Sequence, residues 1–287
     1  MNATMYVKWL LWAACLAGIA PLRAAAAADD CRGPSDDCVA VGHWNFSVAL
    51  GAGVRTNPLV NGEDIPLVVI PQFSYYGKRF FIDDLDVGFT LAENASNTLS
   101  LVASPGYDRV YFYRTDLQNF FIVGFSPSGP AIYTTNTQLA TSLGAPQVAP
   151  RPRRVTYLAG PEWTFKVGGI SGQLDVLHEV TGQNGGDEVR AALGIPLMES
   201  KGKLTANVGV TWKGAAIVDY YYGISTIYQG RAALDPFVKL GYTLPLAGKW
   251  HFNAFAEYET LGSAIADSPL VAEHHVETVF MGAVYTF

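Results

Sequence analysis

Apolar and polar side chains alternate strictly along four long stretches of this chain. In 203–213 one parity reads Leu204, Ala206, Val208, Val210, Trp212, and the other Lys203, Thr205, Asn207, Gly209, Thr211, Lys213. In 249–260 Trp250, Phe252, Ala254, Ala256 and Tyr258 oppose His251, Asn253, Phe255, Glu257 and Glu259. The same split runs through 154–167 and 187–197. Successive residues of a strand point to opposite faces, so a period of two specifies β-structure and excludes a helical fold. A soluble sandwich also alternates. These strands, however, run to about 10–13 residues, longer than the usual 5–6 and matched to a tilted membrane-crossing strand. Aromatic residues sit at many strand ends, among them Trp44, Phe46, Tyr75, Tyr76, Trp163, Trp250, Tyr258 and Tyr285, where two interfacial girdles belong. Charged residues make up 15% of the chain, against about 25% in ordinary soluble domains.

The fold class expected is therefore all-β, a transmembrane antiparallel up-and-down β-barrel. Eleven strands are legible, at about 43–56, 64–76, 79–92, 97–107, 154–167, 170–180, 187–197, 203–213, 235–245, 249–260 and 275–287. Bacterial single-chain barrels have an even number of strands, with both termini on the periplasmic side. About twelve strands are expected, ten being the fallback, with the missing one sought in the aromatic stretch 109–125. Counting back from the C-terminus places 261–274, 214–234, 181–186 and 126–153 outside the cell. The tight connections 246–249, 199–202 and 168–169 then face the periplasm.

Residues 1–28 read as a signal peptide: Lys8, an apolar run from Trp9 to Leu22, then small residues Ala24–Ala28. About 14 apolar residues fall short of the roughly 20 a membrane-spanning helix needs, and nothing beyond residue 28 is longer. Segment 29–42 is expected to be periplasmic and 43–287 to form the barrel. Loss of Lys8 and Arg23, with no acid, leaves 17 basic against 25 acidic residues, a formal charge of −8. That balance argues against a nucleic-acid partner. Cys31 and Cys38 remain; in an exported protein they can form a local disulfide or stay as free thiols.

Motifs for chemistry are sparse. There is no Gly-x-Ser-x-Gly elbow and no His-Glu-x-x-His pair, so neither an enzyme nor a cofactor is expected. His274 and His275 are adjacent, and neighbours on a strand face opposite ways. Asp83, Asp84 and Asp86 lack the spacing of a calcium loop and read as a solvated bend. Arg151, Arg153 and Arg154 form a basic cluster at the outer rim, suited to lipopolysaccharide phosphates or to plain solvation. The polar parity turns Glu162, Lys166, Asp175, Glu179, Glu188, Arg190, Lys203, Lys213, Lys239, Glu257 and Glu259 inward. These lumen residues could close into salt-bridged layers or line a narrow selective pore.

Three stretches resemble the MipA/OmpV family of Gram-negative outer-membrane proteins. They are Gly51–Val60 with Asp64–Pro71 and Tyr75–Gly77; Val218–Ile224; and Ala266–Val271 before the closing strand Val279–Phe287. The terminal Phe287, with Tyr285 two residues earlier, is similar to the general signal for outer-membrane insertion. The resemblance implies a role as a scaffold joining a lytic transglycosylase to a bifunctional penicillin-binding protein. Porin-like and adhesive members are also implied, and no catalytic motif travels with the family. Apart from such partners, the expected surroundings are outer-membrane lipid and lipopolysaccharide.

Overall fold

A computed structural model describes residues 41–113 and 153–287. Twelve antiparallel strands close into one barrel in which each strand pairs with its sequence neighbours and β1 with β12. They are β1 (Trp44–Arg55), β2 (Ile65–Tyr76), β3 (Phe80–Asp83), β4 (Asp86–Asn94), β5 (Asn97–Pro105) and β6 (Tyr157–Val167). The remainder are β7 (Ile170–Glu179), β8 (Asp187–Glu199), β9 (Lys203–Lys213), β10 (Ala233–Pro245), β11 (Trp250–Thr260) and β12 (His275–Thr286).

The twelfth strand is not where the sequence placed it. The described part of 109–125 holds the end of a 3-10 helix (Tyr107–Tyr111) and no strand; the rest of that stretch lies outside the described residues. Instead, 79–92 is two strands with a turn at Asp84 and Leu85. Asp84 adopts a left-handed φ of 51°, which Asp tolerates better than most residues. Its N–H donates to the Phe73 carbonyl (2.9 Å) and its carboxylate accepts the Phe73 N–H (2.7 Å), so the turn is pinned to β2. The Asp-rich bend was visible in the sequence, but a reversal there requires partners that only β2 supplies. As a result β3 pairs with β2 over three residues alone, the shortest seam of the barrel.

Parity sorts the side chains as the pleat demands. Leu50, Leu101, Val176, Leu240 and Met281 are exposed on the outer face. At the periplasmic end Trp44 lies 5.1 Å from Tyr75, Trp163 4.9 Å from Phe165, and Trp250 4.9 Å from Tyr285, ring centre to ring centre. The Trp and Tyr rings among them are amphipathic and suit the lipid–water boundary. Gly168 and Gly169, with φ of 58° and 84°, make the two-residue β6–β7 turn, whose twist requires left-handed residues at both positions.

Candidate functional site

The outer mouth of the barrel is filled by its own connections. After β9, helix α1 (Ala215–Tyr222) turns inward and buries Ile217, Val218, Tyr221 and Tyr222 on one face. A short helix α2 (Ser263–Ala266) buries Ala264, Ile265 and Ala266. With Val110 and Tyr111 of the 3-10 helix, and Leu59, Leu270 and Val271, they pack onto inward residues of the wall: Val102, Leu158, Leu177 and Val276. Burying each large side chain stabilises the cap by about 1.5–3 kcal/mol. Polar links fix its geometry. Ser268 Oγ donates to the Tyr222 carbonyl (2.7 Å), and Tyr228 OH to that of Ala264 (2.9 Å). Val60 N donates to the Leu270 carbonyl and Ala272 N to that of Pro58.

Beneath the cap lies a layer of buried charge. Lys213 Nζ sits 2.8 Å from Asp108 Oδ1 and 3.0 Å from Asp235 Oδ2. Tyr222 OH donates to the same Asp108 oxygen at 2.8 Å. Burial, reinforced by Asp108, raises the Tyr222 hydroxyl well above its ordinary range, so it stays protonated and donates. Arg55 Nη2 donates to Tyr111 OH (2.9 Å) and lies 3.9 Å from Glu259. Arg190 binds Glu188 (2.6 Å) and donates to Ser104 Oγ (3.0 Å). Each cation thus ties a wall strand to the cap or to another strand. Buried charges are tolerated only with such partners.

Lower in the lumen the two sides differ. On one side Gln173 Nε2 donates to Glu162 (2.9 Å) and Asp175 (3.2 Å). On the other, Ala49, Ile65, Leu67, Ile70, Phe255, Phe280 and Val284 form an apolar cluster. Lys239 pairs with Glu257 at 3.2 Å and stands over the Phe255 ring.

A family model described as MltA-interacting protein MipA matches residues 50–287. The chain belongs to the MipA family. The MltA-interacting protein of Escherichia coli (strain K12) is 24% identical over 267 residues, covering 87% of this chain and 93% of its own. YiaT of the same organism, whose name assigns it provisionally to the outer membrane, is 26% identical over 252 residues, covering 84% and 91%. Among solved structures, a loop-deleted form of OmpT, an outer membrane protein of Vibrio cholerae, covers 85% of this chain and 99% of its own. Its identity is 10% and its TM-score 0.36, too distant to carry an argument. With family and barrel together, the protein resides in the outer membrane.

A segment from each of the three stretches that carry the family resemblance reaches the cap of this MipA barrel. Leu59 forms an isolated bridge with Val271, Ser268 holds Tyr222, and Arg55 and Asn57 both reach Tyr111. No periodicity signals this meeting, because the segments that touch lie far apart in sequence. For the same reason the contacts of Asp108, Tyr111 and Tyr222 with the wall could not be read from the sequence. Asp235 could have been found, since it shares the inward parity of Lys239.

The candidate residues divide by depth. Asp175, Glu188, Arg190, Lys213 and Lys239 are buried; Glu162, Lys203, Glu257 and Glu259 are half-buried; Lys166 is exposed at the periplasmic mouth. Glu179 is buried too, but it serves a loop: its carboxylate accepts N–H groups from Thr181, Gln183, Asn184 and Gly185. Glu179→Ala is expected to leave these donors without their acceptor, costing about 2 kcal/mol. Faster amide exchange confined to 181–186 would report it, and unchanged exchange would contradict it.

Of the arginines proposed for the outer rim, two are described, and Arg154 is exposed. Arg153 is buried: its Nε donates to the Tyr221 carbonyl (2.7 Å), and its guanidinium lies 4.1 Å from the Phe112 ring centre. It holds α1 in place and cannot reach lipopolysaccharide. Arg151, Cys31, Cys38 and residues 1–40 lie outside the described residues.

Proposed function

We propose that this MipA barrel is a non-catalytic interaction protein of the cell envelope. It would hold a lytic transglycosylase, and through it a penicillin-binding protein, at the periplasmic face. One observation carries the reading: the family match spans 50–287, and the elements bearing the resemblance build a cap across the outer mouth. A barrel capped on that side is suited to presenting a surface and poorly suited to passing solutes. The name of the Escherichia coli relative, MltA-interacting protein, supports the choice of partner class.

Two measurements test it. The mature chain, solubilised from membranes, should co-purify with the lytic transglycosylase of its own organism; failure to do so after both are shown to be folded would remove the scaffold reading. In a planar bilayer the same preparation should give no discrete openings. Reproducible single-channel steps would instead favour a small porin.

A further inference from the structure

Among the described residues, the exposed charges at the two ends of the barrel are of opposite net sign. At the outer end the exposed acids Glu63, Asp64, Asp187, Asp267, Glu273 and Glu277 outnumber the exposed bases Arg154 and Arg231. At the other end, four of the five hairpin turns carry or adjoin an exposed base: Lys78 and Arg79 between β2 and β3, Lys166 beside the β6–β7 turn, Lys201 between β8 and β9, and Lys249 between β10 and β11. Among the described residues, the exposed acids at that end are Glu93 and Glu199. Among the described residues, exposed bases therefore outnumber exposed acids around this mouth. Among the described residues, none of the five bases has a carboxylate within salt-bridge distance.

We infer that this periplasmic rim is the docking surface for the acidic face of a protein partner seated on the barrel axis. The inference rests on the scaffold reading above and names its contact. The turns are too short to clasp a partner, so shape supplies little and the field of the rim supplies steering and orientation. Anionic phospholipid of the inner leaflet would attract the same bases. Lys166, however, shares the inward parity of Glu162 and Thr164, so it stands on the lumen side of the ring, turned from the headgroups. A cation there is of use only to something approaching along the axis.

The test uses the full mature chain in nanodiscs and the lytic transglycosylase of the same organism as probe. The reversal Lys78→Glu/Arg79→Glu/Lys201→Glu/Lys249→Glu should weaken binding at least tenfold, and Lys166→Glu alone should weaken it measurably. Arg154→Glu/Arg231→Glu on the outer side should leave it unchanged. Heat-modifiability on gels verifies that each variant is folded. The loss should be equal in zwitterionic and anionic nanodiscs. Undiminished binding by the rim-reversed barrel overturns the rim assignment and leaves the scaffold reading standing. A loss seen only in anionic nanodiscs makes the rim a lipid contact and overturns it likewise. Absence of binding by the unaltered chain overturns the scaffold reading and the rim with it.

Discussion

Replacing Lys213 by methionine is expected to destabilise the barrel by about 3–5 kcal/mol, the cost of breaking a buried ion pair from one side. Lys213 is the only cation bridging Asp108 of the cap and Asp235 of the wall among the described residues, at 2.8 and 3.0 Å. Without it two carboxylates face each other beneath an apolar cap, with the Tyr222 hydroxyl as the remaining donor to Asp108. The folded-to-unfolded gel transition should move to markedly lower temperature or denaturant. The triple variant Lys213→Met/Asp108→Asn/Asp235→Asn should recover most of the loss, because the cost lies in orphaned charge more than in lost attraction. Equal instability of the single and triple variants would show that packing of the lysine stem, not charge pairing, holds this layer.

A comparable effect is expected from a single methyl group at Gly51. This residue pairs with Gly282 across the β1–β12 seam that closes the barrel. A Cβ at Gly51 would lie 2.1 Å from the Met281 carbonyl oxygen, 2.6 Å from Gly282 Cα and 2.7 Å from the Phe280 ring. The first two contacts are backbone, so no rotamer change relieves them and the seam itself must part. Gly51→Ala should cost about 3 kcal/mol or more, at the upper end of overpacking penalties, and lower the yield of refolded barrel. Gly241, on the inner face of β10, has nothing within 4 Å of an added Cβ, so Gly241→Ala should refold like the unaltered chain. If both variants refold alike, Phe280 does not rest on the glycines as described.

The candidate site was partly legible. Glu188, Arg190, Lys213, Lys239 and Glu259 could be assigned to the inner face because parity is a local property of the pleat. What each one touches could not. Lys213 finds Asp108 across 105 residues of chain and Arg55 finds Tyr111 across 56. Arg153 shows the same limit in reverse. Beside Arg151 and Arg154 it reads as part of a surface cluster, yet it is buried because α1 offers a carbonyl and Phe112 a ring.

By itself the sequence determined that the chain is a barrel and which side chains face lipid. Each follows from alternation, strand length and turn length, quantities set within a dozen neighbouring residues. Only the tertiary structure decided that Asp84 splits one apparent strand into two and that the outer connections fold inward to cap the lumen. Those outcomes depend on which distant segments meet. Burial and pairing energies, unlike side-chain period, exist only after the barrel has closed.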